Sequence, residues 1–119
     1  MTLTIVKLRN EKGLYLYAVN GPSINGLSPT GWDSQKQESA AYQWLLFGTP
    51  EEGPVRLLNL GKTGYLVYSS DPGMGLLVSQ NVARTDAPLF TFGPIPVNGF
   101  YPVQVNGVDM GAWSIELSQ

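Results

Sequence analysis

Nine carboxylates are the side chains in this 119-residue sequence that come closest to an acid–base set: Glu11, Asp33, Glu38, Glu51, Glu52, Asp71, Asp86, Asp109 and Glu116. The chain has no His and no Cys. The commonest general base, the commonest transition-metal ligand and every thiol nucleophile are therefore missing. Two carboxylates can flank a glycosidic bond, one as an acid of raised pKa and the other ionised. Here nearly all nine stand beside Gly, Pro, Ser or Asn in predicted turns, the setting of solvated loop charges. A serine nucleophile without His needs a lysine base, and no Ser-any-any-Lys spacing on a plausible helix is present. Calcium would need a loop of the Asp-any-Asp-any-Asp-Gly kind, which is also absent. The sequence assigns no catalytic residue, no metal ligand and no cofactor, and the chain reads as a non-enzyme.

What remains is recognition through loops. The longest connection in the first half runs from Asn20 through Gly21, Pro22, Ser23, Ile24, Asn25, Gly26 and Leu27 to Trp32. Pro22 and Pro29 fix φ, whereas Gly21, Gly26 and Gly31 permit positive φ. A stiff, narrow loop with an apolar tip at Ile24 and Leu27 can enter the cleft of a protease with little ordering cost. A second chemistry needs an aromatic face for the apolar side of a sugar ring and a carboxylate to bridge two hydroxyls. Trp32 with Asp33 is the adjacent pair of that kind, and Asp71 is a further candidate in a compact turn, 69–75.

Composition narrows the partners. Seven Lys plus Arg against nine Asp plus Glu give a net charge of −2, and charged residues make up 13% of the chain, about half of the usual quarter. That balance carries no electrostatic footprint for nucleic acid or for an acidic membrane surface. The first residues lack the zones of a secretory signal, and no apolar run approaches the ~20 residues of a membrane span. A cytoplasmic protein is expected, and the absence of Cys fits a reducing compartment. Phe100 and Tyr101 on a predicted edge strand suit a homodimer.

The elements that must position these loops are short strands. Apolar and polar residues alternate over 4–9, 14–19, 43–47, 55–58, 65–68, 76–78, 89–92, 100–105 and 113–117, and no sustained 3.6-residue period appears. Nine Pro and 14 Gly leave little room for helices. Pro102 places its run at an edge or a bulge. The strand-turn-strand Val6-Lys7-Leu8-Arg9-Asn10 … Gly13-Leu14-Tyr15-Leu16-Tyr17 returns as Val55-Arg56-Leu57-Leu58-Asn59 … Gly64-Tyr65-Leu66-Val67-Tyr68. Each unit closes on an aromatic strand, at Trp44 and at Phe90, and Trp113 repeats the closure. Three such units, the third confined to 94–119, predict an all-β single domain over 1–119 with the β-trefoil fold; a sandwich of the same strands is the alternative.

The Gly-Leu-Tyr-Leu-Tyr run and the Trp closures resemble the ricin-B-like trefoil lectins and, equally, the small fungal trefoil protease inhibitors, the mycocypins and especially the cocaprins. The closing strands differ from the Gln-any-Trp of the lectin modules, since Gln43 and Trp44 are adjacent. The resemblance implies a reversible inhibitor of papain-like cysteine proteases acting through the connection between the second and third strands. By position that is the segment Asn20, Gly21, Pro22, Ser23, Ile24, Asn25 and Gly26. It also implies a separate loop for aspartic proteases, or alternatively a glycan site at Trp32, Asp33 and Asp71.

Overall fold

The computed structural model describes residues 3–19, 21–34, 39–71, 75–93 and 95–117. Among them the alternating segments form strands β1 (Leu3–Asn10), β2 (Tyr15–Ala18), β3 (Leu27–Asp33), β4 (Trp44–Phe47), β5 (Arg56–Asn59), β6 (Gly64–Ser69), β7 (Gly75–Ser79), β8 (Phe90–Phe92), β9 (Tyr101–Val105) and β10 (Val108–Leu117). Single 3-10 turns occupy Ala40–Tyr42 and Arg84–Asp86. The described residues contain no helix long and apolar enough to cross a membrane.

The all-β reading holds, but the trefoil expectation is corrected. The strands form one antiparallel sheet in the order β2-β3-β7-β6-β5-β4-β1-β10-β9-β8, and β2 also pairs with β1. That last contact closes a barrel of seven strands, with β10, β9 and β8 extending from it. Two contacts, one between repeat units and one within the first, produce this result. Strand β3 of the first unit pairs with β7 of the second, Leu27 opposite Ser79 and Pro29 opposite Leu77. Within the first unit, Arg9 pairs with Tyr15 across the β1/β2 turn. The third unit does not fold as four strands. The candidate for its first strand, Pro94-Ile95-Pro96-Val97, contains two prolines, which cannot donate to a ladder, and among its described residues there is only a Val97–Phe100 bridge. The extension returns to the barrel at another bridge, Val55–Phe90, where the two backbone hydrogen bonds are 2.8 and 2.7 Å. A sandwich is likewise not formed, because one continuous sheet carries all ten strands.

The repeated Asn marks the same turn chemistry in both units. Asn10 Oδ1 accepts from the amides of Lys12 (2.9 Å) and Leu14 (3.0 Å), and Asn59 Oδ1 accepts from Lys62 N at 2.9 Å. A side chain that mimics a backbone turn in this way favours Asn at such sites. The glycines of the two turns do different jobs. Gly13 supplies a left-handed residue at φ +82, whereas in the longer second turn that conformation falls on Thr63 at φ +55. Gly64 is needed for space, because a Cβ there would lie 2.7 Å from the Ser79 carbonyl oxygen. A β-branched residue in the left-handed region costs roughly 1–2 kcal/mol, part of which a flexible replacement returns to the unfolded chain. Thr63→Gly is therefore expected to raise stability by about 0.5–1 kcal/mol, read as a higher urea midpoint with an unchanged slope. A lower midpoint would show that the Thr63 side chain contributes more than its backbone costs.

Inward-facing residues of the barrel and its extension meet in one cluster, with Trp44, Leu8, Leu16, Val55, Leu57, Leu66, Val78 and Phe90 all at 0% exposure. Trp44 and Trp113 are core, as their closing positions suggest. The Trp44 indole N–H donates to the Leu16 carbonyl at 3.1 Å, and that of Trp113 donates to the Met110 carbonyl at 3.1 Å. Pro102 lies opposite Ala112, next to the irregular register between Asp109 and Ala112, which is the bulge that its presence foretold.

Candidate functional site

The second connection is shorter and better ordered than a loop from Asn20 to Trp32 would be, because β3 already begins at Leu27. Asn20 lies outside the described residues. Asn25 (φ +54) and Gly26 (φ +75) form a tight turn between Ile24 and Leu27, whose backbones exchange hydrogen bonds of 3.0 and 2.9 Å. Two consecutive residues at positive φ define the primed hairpin turn that Asn-Gly prefers.

Every side of this small hairpin is tied down. At its base the Val19 amide donates to the Pro29 carbonyl at 2.9 Å. The Lys62 ammonium donates to the Gly21 carbonyl. Ser23 Oγ lies 2.8 Å from Oγ of the buried Ser28. From the far side, Asn81 Nδ2 donates to the Asn25 carbonyl and the Gln80 amide donates to the Gly26 carbonyl, both at 2.8 Å. A Cβ on Gly26 would overlap the Asn81 side chain and force it aside, and the left-handed backbone at φ +75 independently favours glycine. Pro22 and Asn25 are exposed, and Ile24 projects from the tip with 75% of its surface open to solvent.

A second tip repeats the design. Asn98 (φ +54) and Gly99 (φ +84) turn the chain between Val97 and Phe100, whose backbones exchange hydrogen bonds of 2.9 and 3.0 Å. Here too the residue before the turn is exposed, Val97 at 67%, with Ile95 beside it at 77%.

The three residues considered for a sugar do not share a cleft. Trp32 and Asp33 are successive in β3, so their side chains leave opposite faces of the sheet. Trp32 shares its face with Leu16 and packs edge-on to Trp113 at 5.6 Å. Asp33 lies across from Tyr15 and accepts a hydrogen bond from the Tyr42 hydroxyl at 2.6 Å. Asp71 is exposed beyond the end of β6, where its amide donates to Ser69 Oγ at 3.2 Å. Asp109, in β10, accepts from the Gly111 amide at the bulge.

Structure adds a feature that the sequence reading missed. Tyr17 and Tyr42 stack with ring centroids 4.9 Å apart. They form one wall of a cleft of about 380 Å³ that Ala18, Ser39, Ala41, Gly61 and Lys62 complete. Three carboxylates each accept a tyrosine hydroxyl: Asp33 from Tyr42, Glu116 from Tyr15 at 2.9 Å, and Glu51 from Tyr101. The Tyr101 hydroxyl holds the Glu51 carboxyl below its ordinary range, and Glu51 in turn raises the Tyr101 phenol.

Tyr42 is perturbed most. Burial, followed by the hydrogen bond to Asp33, pushes its phenol from 10.0 up to about 12. A group whose pKa is higher in the folded than in the unfolded state contributes stability that is complete below the unfolded value and lost as pH rises through the folded one. The domain is therefore expected to lose stability between about pH 10 and 12 as Tyr42 is forced to ionise. In an absorbance titration of the six tyrosines, Tyr42 should ionise late, and Asp33→Asn should bring it down by removing the facing charge. A titration unchanged by that substitution would contradict the assignment.

Comparison of the chain with protein-family models, with curated proteins and with solved structures gives no match. The geometry of the two tips and of the tyrosine cleft is thus the basis on which function is read.

Proposed function

We propose that this protein is a reversible inhibitor of papain-like cysteine proteases that presents the 21–27 hairpin as a wedge. The observation that carries the reading is the 75% exposure of Ile24 at the tip of a hairpin fixed by backbone and side-chain hydrogen bonds on every side. Association is weakened by the cost of ordering loops and side chains, and here most of that cost has been met during folding. An isoleucine leaving water for an apolar subsite gains on the order of 25 cal/mol for each Å² covered. The left-handed Asn25-Gly26 pair keeps the tip folded back on itself, so the chain does not lie extended through a catalytic centre as a substrate would. The choice of protease class is an expectation carried by the sequence pattern alone, since the barrel is not the trefoil of the fungal inhibitors. The 95–100 tip, built on the same turn, is the proposed contact for an aspartic protease.

The test is titration of active-site-calibrated papain-type and pepsin-type enzymes. Inhibition of a papain-type enzyme at micromolar or lower concentration is expected, and it should be reversible on dilution. Absence of inhibition across a broad panel of papain-type enzymes would overturn the reading.

A further inference from the structure

We propose that the cleft beside the Tyr17–Tyr42 stack is a binding site for a small carboxylate carried on a six-membered ring. Its volume of about 380 Å³ lies within the range of about 300–1,000 Å³ typical of ligand sites. The cleft joins the two things such a ligand needs. Tyr17, Tyr42 and the small side chain of buried Ala18 give apolar surface for a ring. Lys62, half-buried at the edge of the same cleft, gives a cation for the carboxylate. An ammonium has three N–H donors. The Gly21 carbonyl takes one, and among the described residues Lys62 makes no ion pair. Its main chain is fixed at both ends of the residue, the amide on Asn59 Oδ1 at 2.9 Å and the carbonyl accepting from Gln80 Nε2 at 2.6 Å. The cation is therefore held by the fold instead of trailing from a free loop.

The polar atoms around the ring are also set. Because the Tyr42 hydroxyl points its proton at Asp33, its oxygen is left to accept from a ligand hydroxyl. Ser39, exposed at the rim, offers a further hydroxyl. The site is distinct from the hairpin tip at Ile24, and it stands whether or not the protein inhibits proteases.

A ring carboxylate can be an acidic sugar or a simple cyclic acid, and the two are separated by the probes. Amide-resolved NMR titration would use glucuronate, benzoate and the neutral methyl glucoside. Saturable shifts centred on Tyr17, Tyr42, Gly61 and Lys62 are expected with at least one acid. Glucuronate alone identifies the sugar acid as the ligand class, and benzoate alone identifies the aromatic acid. Lys62→Met should weaken the bound acid tenfold or more, Lys62→Arg should restore most of the affinity, and Lys12→Met, remote from the cleft, should leave it unchanged. The proposal is overturned if neither acid gives saturable shifts at these residues, or if methyl glucoside binds as tightly as glucuronate. Since the titration is read on the wild-type protein, a poorly folded variant does not rescue it.

Discussion

Trp44→Ala is expected to leave the domain largely unfolded under conditions where the wild-type protein is folded. The Trp44 side chain has no exposed surface, and its ring sits between the inner faces of β1 and β5, opposite Val6 and Asn59. Removing a buried Trp to Ala typically costs about 3–5 kcal/mol through lost transfer energy and the cavity left behind. The substitution also strips the Leu16 carbonyl of its indole donor, and an orphaned buried acceptor costs about 1–3 kcal/mol more. Against a total stability of about 5–15 kcal/mol for a domain of ordinary size, this sum removes most or all of the fold. The measurement is a urea denaturation curve followed by the fluorescence of the remaining tryptophans and the tyrosines. Trp32→Ala is the informative partner: Trp32 is only partly buried at the margin of the cluster, so its loss should move the midpoint much less. Equal effects of the two would mean that the cluster is held together from the rim and not from Trp44.

Ile24→Asp is expected to abolish protease inhibition while leaving the fold intact. A residue with three-quarters of its surface in water contributes little to stability, and exposed substitutions usually stay within about ±0.5 kcal/mol. At an interface the same change would drive an unpaired charge into an apolar subsite. The loss should reach about 3 kcal/mol, on the order of 100-fold in the inhibition constant. Asn81→Ala provides a graded companion. It releases the Asn25 carbonyl, so it should weaken inhibition by a few fold through the cost of reordering the tip. Replacement of Gly21, Pro22 and Ile24 together tests the same segment more bluntly. If inhibition survives both the single Asp and the triple replacement, the wedge lies elsewhere, and the 95–100 tip becomes the first place to look.

Local pattern made most strands legible, because alternation reports a half-buried surface wherever it occurs. Strand β3 was missed for a local reason as well: Ser28-Pro29-Thr30-Gly31 reads as turn chemistry. Pro29 is tolerated because its carbonyl accepts from Val19 while its missing amide removes a single rung of the ladder. Closure of the barrel was illegible because it depends on which edges meet, a choice made by packing between distant segments such as Leu27 and Ser79. The Ile24 tip was found in sequence through its Pro, Gly and apolar content, and the Asn-Gly dipeptides could have fixed its turn type and revealed the matching tip at Asn98-Gly99. Its tethers were beyond reach, since Lys62, Gln80 and Asn81 lie in the second unit. The same is true of the Tyr–carboxylate pairs, in which Tyr15 meets Glu116 and Tyr101 meets Glu51 from far along the chain.

Strand β1 occupies an unusual place in this barrel: it pairs with β4 along Leu3–Val6, with β10 along Val6–Asn10, and with β2 at Arg9. A nascent chain leaving the ribosome therefore exposes this strand well before the residues that complete its ladder are made, Val6 waiting for Leu117 and Leu8 for Ile115. Pairings of such wide separation give a high contact order, and folding slows because chain entropy must be given up before those contacts form. Until β10 arrives, the Val6 and Leu8 edge stands open to strands of other molecules. The hazard for this protein thus lies in the interval before folding is complete, and conditions that keep fewer incomplete chains present at once, such as weaker expression, should improve its yield in soluble form.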